Sequence, residues 1–197
     1  MGVNLFSVNV LVMCVTILQV TPSSKSGAPV VLDPATNREA YAIYAMALER
    51  IDKGHADRLL VQQETAIETD VPIFLYSCVP AYLSTQTGEW VEVARDFQQQ
   101  NRVERLLQPV LPQRVPYSFI RKAAIAADNA RLLRLYPPGW QARPGEIEYV
   151  AFSSVGFNRA RTKAILYSHQ RASSDMGKLE LKDGKWQFVG EHCGGMA

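Results

Sequence analysis

The chain has 197 residues, enough for one domain with a sizeable core and too few for two full domains of ordinary size. Hydrophobic residues make up 47% of the sequence and charged residues 20%, a globular composition that excludes a disordered chain. The formal net charge is only +2, and the arginines are scattered without a basic run. This pattern argues against a nucleic-acid partner.

The N-terminus departs from this average composition. Leu5–Val20 is an almost unbroken apolar run, and the polar stretch TPSSKSGAP follows it. This order is typical of a secretory signal peptide, and the run is shorter than the ~20 residues of a membrane-spanning helix. We therefore predict a signal peptide over 1–26, a single domain over 27–197, and a secreted or periplasmic protein. An uncleaved membrane anchor or a buried N-terminal segment is the alternative, and an uncleaved segment would be the one contact with a membrane.

Two cysteines remain in the mature chain if this signal is removed. Cys14 lies inside the predicted signal, whereas Cys78 and Cys193 follow it. An even number of cysteines in an oxidising compartment favours a disulfide, which would stabilise by about 4–5 kcal/mol for a loop on the order of a hundred residues. Two unrelated buried thiols are the alternative, because the sequence does not place the two residues in space.

The first three quarters of the chain predict three helices and several less regular segments. Thr36-Asn37-Arg38-Glu39 has the spacing of a capping box, in which Thr36 would cap the backbone N–H of Glu39. A helical apolar stripe follows, formed by Ala40, Ile43, Tyr44, Ala47, Leu48 and Ile51. Further along, we expect a strand over 58–67, a buried connector or short strand over 72–84, a helix over 89–107, a strand over 115–119, a helix over 122–135 and a loop over 136–145.

The last fifty or so residues are typical of a β-meander. Asp183-Gly184 suits a two-residue type I′ turn. That turn predicts the pairs Lys182–Lys185, Leu181–Trp186, Glu180–Gln187 and Leu179–Phe188. The apolar members of these pairs would share a buried face, and the charged members would face water. The predicted fold class is α+β, in two layers: an antiparallel sheet with this C-terminal meander, packed against the N-terminal helices.

The same region resembles a family of uncharacterised secreted bacterial proteins. That family has a strand ending S-x-V-G-F-N, then an A-x-x-Y strand and a K-x-G-x-W hairpin. The matching residues are Ser153, Val155, Gly156, Phe157, Asn158, Ala164, Tyr167, Lys182, Gly184 and Trp186. Upstream, Asp96, Phe97 and Asn101 resemble a helix motif of the same family. Relatives often carry a Cys-Gly-rich segment between the last strands, and residues 169–178 hold no cysteine here. The resemblance implies an exported protein and a fold, and it implies no activity.

Few residues are candidates for chemistry. The histidines His55, His169 and His192 lack metal-ligand spacing, and adjacent His192 and Cys193 would point to opposite faces of a strand. No cofactor motif is present, so we predict neither a metal nor a cofactor.

The candidate ligand-binding residues are Trp140, Asn158 and His169. Trp140 lies in a Pro/Gly loop, where it could recognise a partner or close the core. Asn158 opens a basic turn with Arg159 and Arg161, which could bind an anionic ligand or be a solvated hairpin tip.

Three functions fit these observations. We expect an exported, non-catalytic domain that binds a protein partner or a small ligand through its sheet or loops. A small extracytoplasmic hydrolase using Cys78 or a histidine is the first alternative. The second is a cone-shaped α+β domain that encloses a small ligand between helices and sheet.

Thiol titration tests the predicted Cys78–Cys193 disulfide. The mature protein, denatured without reductant, should show no reactive thiol, because both sulfurs would be bonded. Titration after reduction is the control and should reveal both thiols. One or two free thiols before reduction would contradict the disulfide and favour the hydrolase alternative.

Overall fold

A computed structural model describes residues 30–51, 59–66, 73–111, 116–127, 148–170 and 173–196. For residues 73–78, 148, 173 and 191–196 it describes the backbone only. The predicted signal peptide and Trp140 lie outside these residues. The helices are α1 (Arg38–Ile51), α2 (Ile73–Ser84) and α3 (Glu89–Gln100), with a further helical segment at 122–127. The strands are β1 (Val30–Val31), β2 (Leu59–Gln62), β3 (Arg105–Leu106), β4 (Tyr117–Ile120), β5 (Glu148–Phe152), β6 (Gly156–Phe157), β7 (Lys163–Gln170), β8 (Ser173–Lys182) and β9 (Lys185–Met196).

The predicted α+β class is confirmed, and the main sheet is mostly antiparallel. Its order is β4-β2-β5-β7-β8-β9, and β6 pairs with β7. The strands β5, β7, β8 and β9 are antiparallel, whereas β2 is parallel to both β4 and β5. The sheet is therefore mixed. Long connections separate β2 from its two neighbours, and they allow the parallel arrangement.

The predicted terminal hairpin is confirmed in register. Leu181 lies opposite Trp186, Leu179 opposite Phe188, and the other two predicted pairs also form. Asp183 and Gly184 have φ values of 51° and 73°, and a type I′ turn requires positive φ at both positions. Local turn chemistry therefore determined this register.

Helices cover both faces of the sheet, which adds a layer to the two that the sequence predicted. On β7, Ala164 and Leu166 pack into the core beneath α1. The alternating residues Ile165 and Tyr167 pack with Val93 and Phe97 of α3 and with the end of α2. Side chains alternate along a strand, so a helix on each side buries both sets.

Two predicted segments differ from the structure. Residues 73–84 form a helix, with Pro80 inside it, where a connector or short strand was expected. This apolar helix packs against β9 and α3, and Val79, Tyr82 and Leu83 join the core on that side of the sheet, although Pro80 removes one helical hydrogen bond. The helix predicted over 89–107 ends at Gln100, because Asn101 turns its side chain to Phe97 and to Ser154 in the sheet edge.

The predicted capping box does not form. The Thr36 hydroxyl donates to Asp33, at 3.1 Å from Oδ2, and the Asp33 carboxylate also accepts the backbone N–H of Ala35. Glu39 pairs with Arg161, 2.9 Å away, and does not reach back along the helix. A tertiary ion pair with Arg161 therefore takes the place of the predicted local hydrogen bond of Glu39.

The helix α3 docks directly on β6. The Asp96 carboxylate accepts the backbone N–H of Phe157 at 2.8 Å. Gly156 lies so close to α3 that a Cβ there would collide with the backbone and Cβ of Phe97. The side-chain amide of Asn101 donates to the carbonyl of Ser154 at 2.9 Å, and its oxygen accepts the Ser154 N–H at 2.7 Å. Ser154 between β5 and β6, the start of β6 and the end of α3 therefore form one unit.

Substitution of Gly156 tests this close approach. Gly156→Ala should lower the free energy of unfolding by about 1–3 kcal/mol, since helix and strand must separate. Urea denaturation measures the change. Gly177→Ala is the matched control, because its Cβ would meet only the ring edge of Phe188. A smaller loss for Gly177→Ala is expected, and equal losses would contradict rigid α3–β6 docking.

A basic cleft between two helices and the sheet edge

A cleft of about 400 Å³ lies where α1, α3 and residues 154–161 meet. α1 supplies one wall, α3 supplies another, and the β6–β7 turn follows. The lining residues are Leu32, Asn37, Ala40, Tyr44, Glu92, Arg95, Asp96, Gln99, Gln100, Arg105, Ser154, Val155, Phe157, Asn158, Arg159 and Arg161. Its volume is in the range of small-molecule sites.

The charge of this lining is positive. Four arginines line the cleft, against the two carboxylates of Glu92 and Asp96. Asp96 is already engaged, because it accepts the N–H of Phe157 and, at 3.0 Å, the side-chain amide of Gln100. The cleft therefore presents more guanidinium charge than its own carboxylates balance.

The four arginines differ in how they are held. Arg161 pairs with Glu39 and lies over the ring of Phe157, 4.9 Å from its centre. Arg105 is partly buried, and its Nη1 donates to the carbonyl of Gln100 at 3.0 Å and to the hydroxyl of Ser154 at 3.2 Å. Arg95 and Arg159 are exposed and make no ion pair with the described residues. Two held and two uncommitted guanidiniums thus share one cleft.

Asn158 lies at this cleft, and its side chain holds the β6–β7 turn. Its amide oxygen accepts the backbone N–H groups of Thr162 and Lys163 at 2.8 and 2.9 Å. Its amide nitrogen donates to the Thr162 hydroxyl at 3.0 Å. Asn158 therefore positions Arg159 and Arg161, and its direct contact with a ligand stays a prediction.

His169 lies elsewhere, on β7, and pairs with β8. Its Nδ1 is 2.7 Å from the hydroxyl of Ser174. Burial lowers the pKa of His169 below its usual value. A histidine beside a serine hydroxyl has the spacing of a nucleophile and its base, but Ser174 is 1% exposed inside the sheet. A substrate cannot reach that hydroxyl in this arrangement.

The cysteine prediction falls on side chains outside the described part of the chain. Cys78 lies in α2 and Cys193 in β9, and these two elements contact each other. No disulfide is present among the described side chains. The pairing stays a prediction.

A second group of charges lies on the opposite side of the hairpin from α1. The sequence predicted water on the face that holds Lys178 and Glu180. Instead, the Lys178 ammonium lies 4.6 Å from the ring centre of Trp90 in α3 and 5.3 Å from that of Tyr82 in α2. Burial, followed by the nearby Lys163, lowers the pKa of Lys178. Lys178 on β8 therefore contacts both α2 and α3.

Neither a metal centre nor a membrane helix is found in the described part. No group of three or more histidine, cysteine, aspartate or glutamate side chains there could hold a metal ion. No helix there is long and apolar enough to cross a membrane.

Sequence reasoning found half of the basic cleft. Arg159 and Arg161 stood out because they share a turn with Asn158. Arg95 and Arg105 did not, because they are isolated charges in a helix and a two-residue strand. Only the docking of α3 brings all four together.

Comparisons with family models, with curated proteins and with solved structures found no match to this chain.

The partly buried imidazole of His169 predicts a pH dependence of stability. The folded state favours neutral His169, whereas the unfolded chain titrates near pH 6.5. This contribution is therefore complete above that pH and is lost as the pH falls through it towards the lower folded pKa.

His169→Asn should flatten the loss of unfolding free energy between about pH 7 and about pH 5. Urea denaturation across that range measures it. Ser174→Ala is the control, since it removes the hydroxyl partner and leaves the imidazole buried. An unchanged slope in His169→Asn would contradict the assignment.

Proposed function

We propose that this chain is an exported binding domain that takes a small anionic ligand into the cleft between α1 and α3. The observation that carries the proposal is the set of four arginines around one cleft, of which only Arg161 has an ion-pair partner, Glu39, among the described residues. Guanidinium groups bind carboxylate and phosphate oxygens through charge-assisted hydrogen bonds.

The arrangement favours an anion from outside the chain for an electrostatic reason. Like charges around a concave, partly desolvated surface repel each other, and an anion placed among them relieves that repulsion. Arg95 and Arg159 gain most, because neither has an ion-pair partner among the described residues. This agrees with the predicted non-catalytic ligand-binding function and with the alternative of a small ligand held between helices and sheet.

Binding is favoured over catalysis by what Asp96 and the arginines do. Asp96 is held by Phe157 and Gln100, so its oxygens are committed to the fold and not to proton transfer. The hydrolase alternative with Cys78 or a histidine stays a prediction, and it does not use this cleft. Secretion or periplasmic location also stays a prediction, with the apolar run Leu5–Val20 as its support.

Calorimetric titration with citrate and with inorganic phosphate tests the proposal. The wild-type protein should bind at least one of them, and binding should weaken as salt rises. The double substitution Arg95→Gln/Arg159→Gln should weaken binding by about tenfold or more, because each charged hydrogen bond contributes about 1.5–3 kcal/mol.

The matched control is Arg102→Gln/Lys185→Gln. It removes the same two positive charges from exposed positions outside the cleft lining. This variant should bind as the wild type does. If both double variants lose affinity equally, binding depends on net charge alone and the cleft is not the site.

A further inference from the structure

We infer that Arg105 is the residue that selects the ligand, by donating two parallel hydrogen bonds to one oxyanion. The oxyanion is either a planar terminal carboxylate or a tetrahedral phosphate monoester. The inference rests on the proposed function, since it concerns the same cleft. It goes further in naming the chemical group that is recognised and the residue that recognises it.

The first support is the hydrogen bonding of the guanidinium. Arginine has five N–H donors in a planar fork. Nη1 of Arg105 donates to the Gln100 carbonyl and to the Ser154 hydroxyl, which uses both of its hydrogens. Nε and Nη2 make no hydrogen bond with the described residues. Their N–H groups point the same way along one edge of the guanidinium, so they can donate to two oxygens of one carboxylate or phosphate.

The second support is the burial of an unbalanced charge. Arg105 is partly buried in the cleft lining, and no described carboxylate lies within ion-pair distance of it. Charged groups removed from water are ordinarily paired. The neutral carbonyl and hydroxyl that hold Nη1 orient the guanidinium and leave its charge uncompensated. An oxyanion on the open edge would complete the pairing.

The third support is rigidity. Arg105 lies on β3, its backbone N–H donates to the Thr65 hydroxyl at 3.0 Å, and its head is bound to the end of α3 and to residue 154. Arg95 and Arg159 are exposed and have no such tethers. A preorganised guanidinium loses less side-chain freedom on binding than a free one. Arg105 therefore recognises the shape of the oxyanion, whereas Arg95 and Arg159 contribute positive charge.

Nitrogen-15 NMR of the arginine Nε–H groups in the wild-type protein tests this inference directly, and it needs no variant to fold. The probes are inorganic phosphate, acetate and, at matched ionic strength, chloride. Phosphate, acetate or both should shift the Arg105 Nε–H signal more than chloride does, because an oxyanion offers a separate oxygen to each of the two parallel donors, whereas both donors must share one chloride ion. A chloride shift as large as that of the oxyanions would overturn the inference.

The variant Arg105→Lys keeps the charge and removes the fork. It should weaken binding of the responding probe by about tenfold or more, since one bidentate contact becomes a point contact. Arg102→Lys is the matched control and should bind as the wild type does. Thermal melting of both variants checks that they are folded.

The two proposals fail in different ways. If phosphate or acetate shifts the signals of Arg95 and Arg159 while Arg105 stays unmoved and Arg105→Lys binds normally, the role of Arg105 is wrong and the anion-binding cleft stands. If neither probe shifts any of these arginines and citrate does not bind in the calorimetric titration, the proposed function is wrong as well.

Discussion

The structure depends on how residues 153 and 154, between β5 and β6, are held from two sides. The Tyr44 hydroxyl of α1 donates to the carbonyl of Ser153 at 3.0 Å, and the Asn101 amide at the end of α3 bonds both the N–H and the carbonyl of Ser154. These backbone groups are buried between two strand segments, and the Ser153 carbonyl and the Ser154 N–H would otherwise lack partners, whereas the Ser154 carbonyl also accepts the Ser153 hydroxyl. The two helices on opposite faces of the sheet are thereby fixed to the same short connection between β5 and β6.

The cleft is a consequence of this double attachment. α1 and α3 approach the connection between β5 and β6 from opposite faces, so a space remains between them. α3 brings Arg95 to that space, β3 brings Arg105, and the turn held by Asn158 brings Arg159. Asn101 and Asn158 thus act through the backbone, and the arginines are what a ligand would meet. The two asparagines and Gly156 are required for the shape of the cleft, whereas the arginines determine its charge.

Several features follow from short-range rules and were predictable from sequence. The Asp183-Gly184 turn imposes positive φ at both positions and sets the register of the β8–β9 hairpin. The apolar period that begins at Ala40 predicts α1, and its buried face is the one expected. The predictions failed where tertiary contacts override local preference. The segment 73–84 is helical despite Pro80, and it packs against β9 and α3. Glu39 does not form the predicted capping contact, because it pairs with the opposite charge of Arg161.

The sequence by itself determined the α+β class, α1, the terminal hairpin with its register and the basic turn at Arg159 and Arg161. These depend on periodicity and on turn dihedrals, which act over a few residues. Tertiary structure alone decided the parallel pairing of β2, the helices on both faces of the sheet, and the meeting of Arg95 and Arg105 with that turn. Such contacts join residues far apart in the chain, and no local pattern encodes which distant surfaces will pack together.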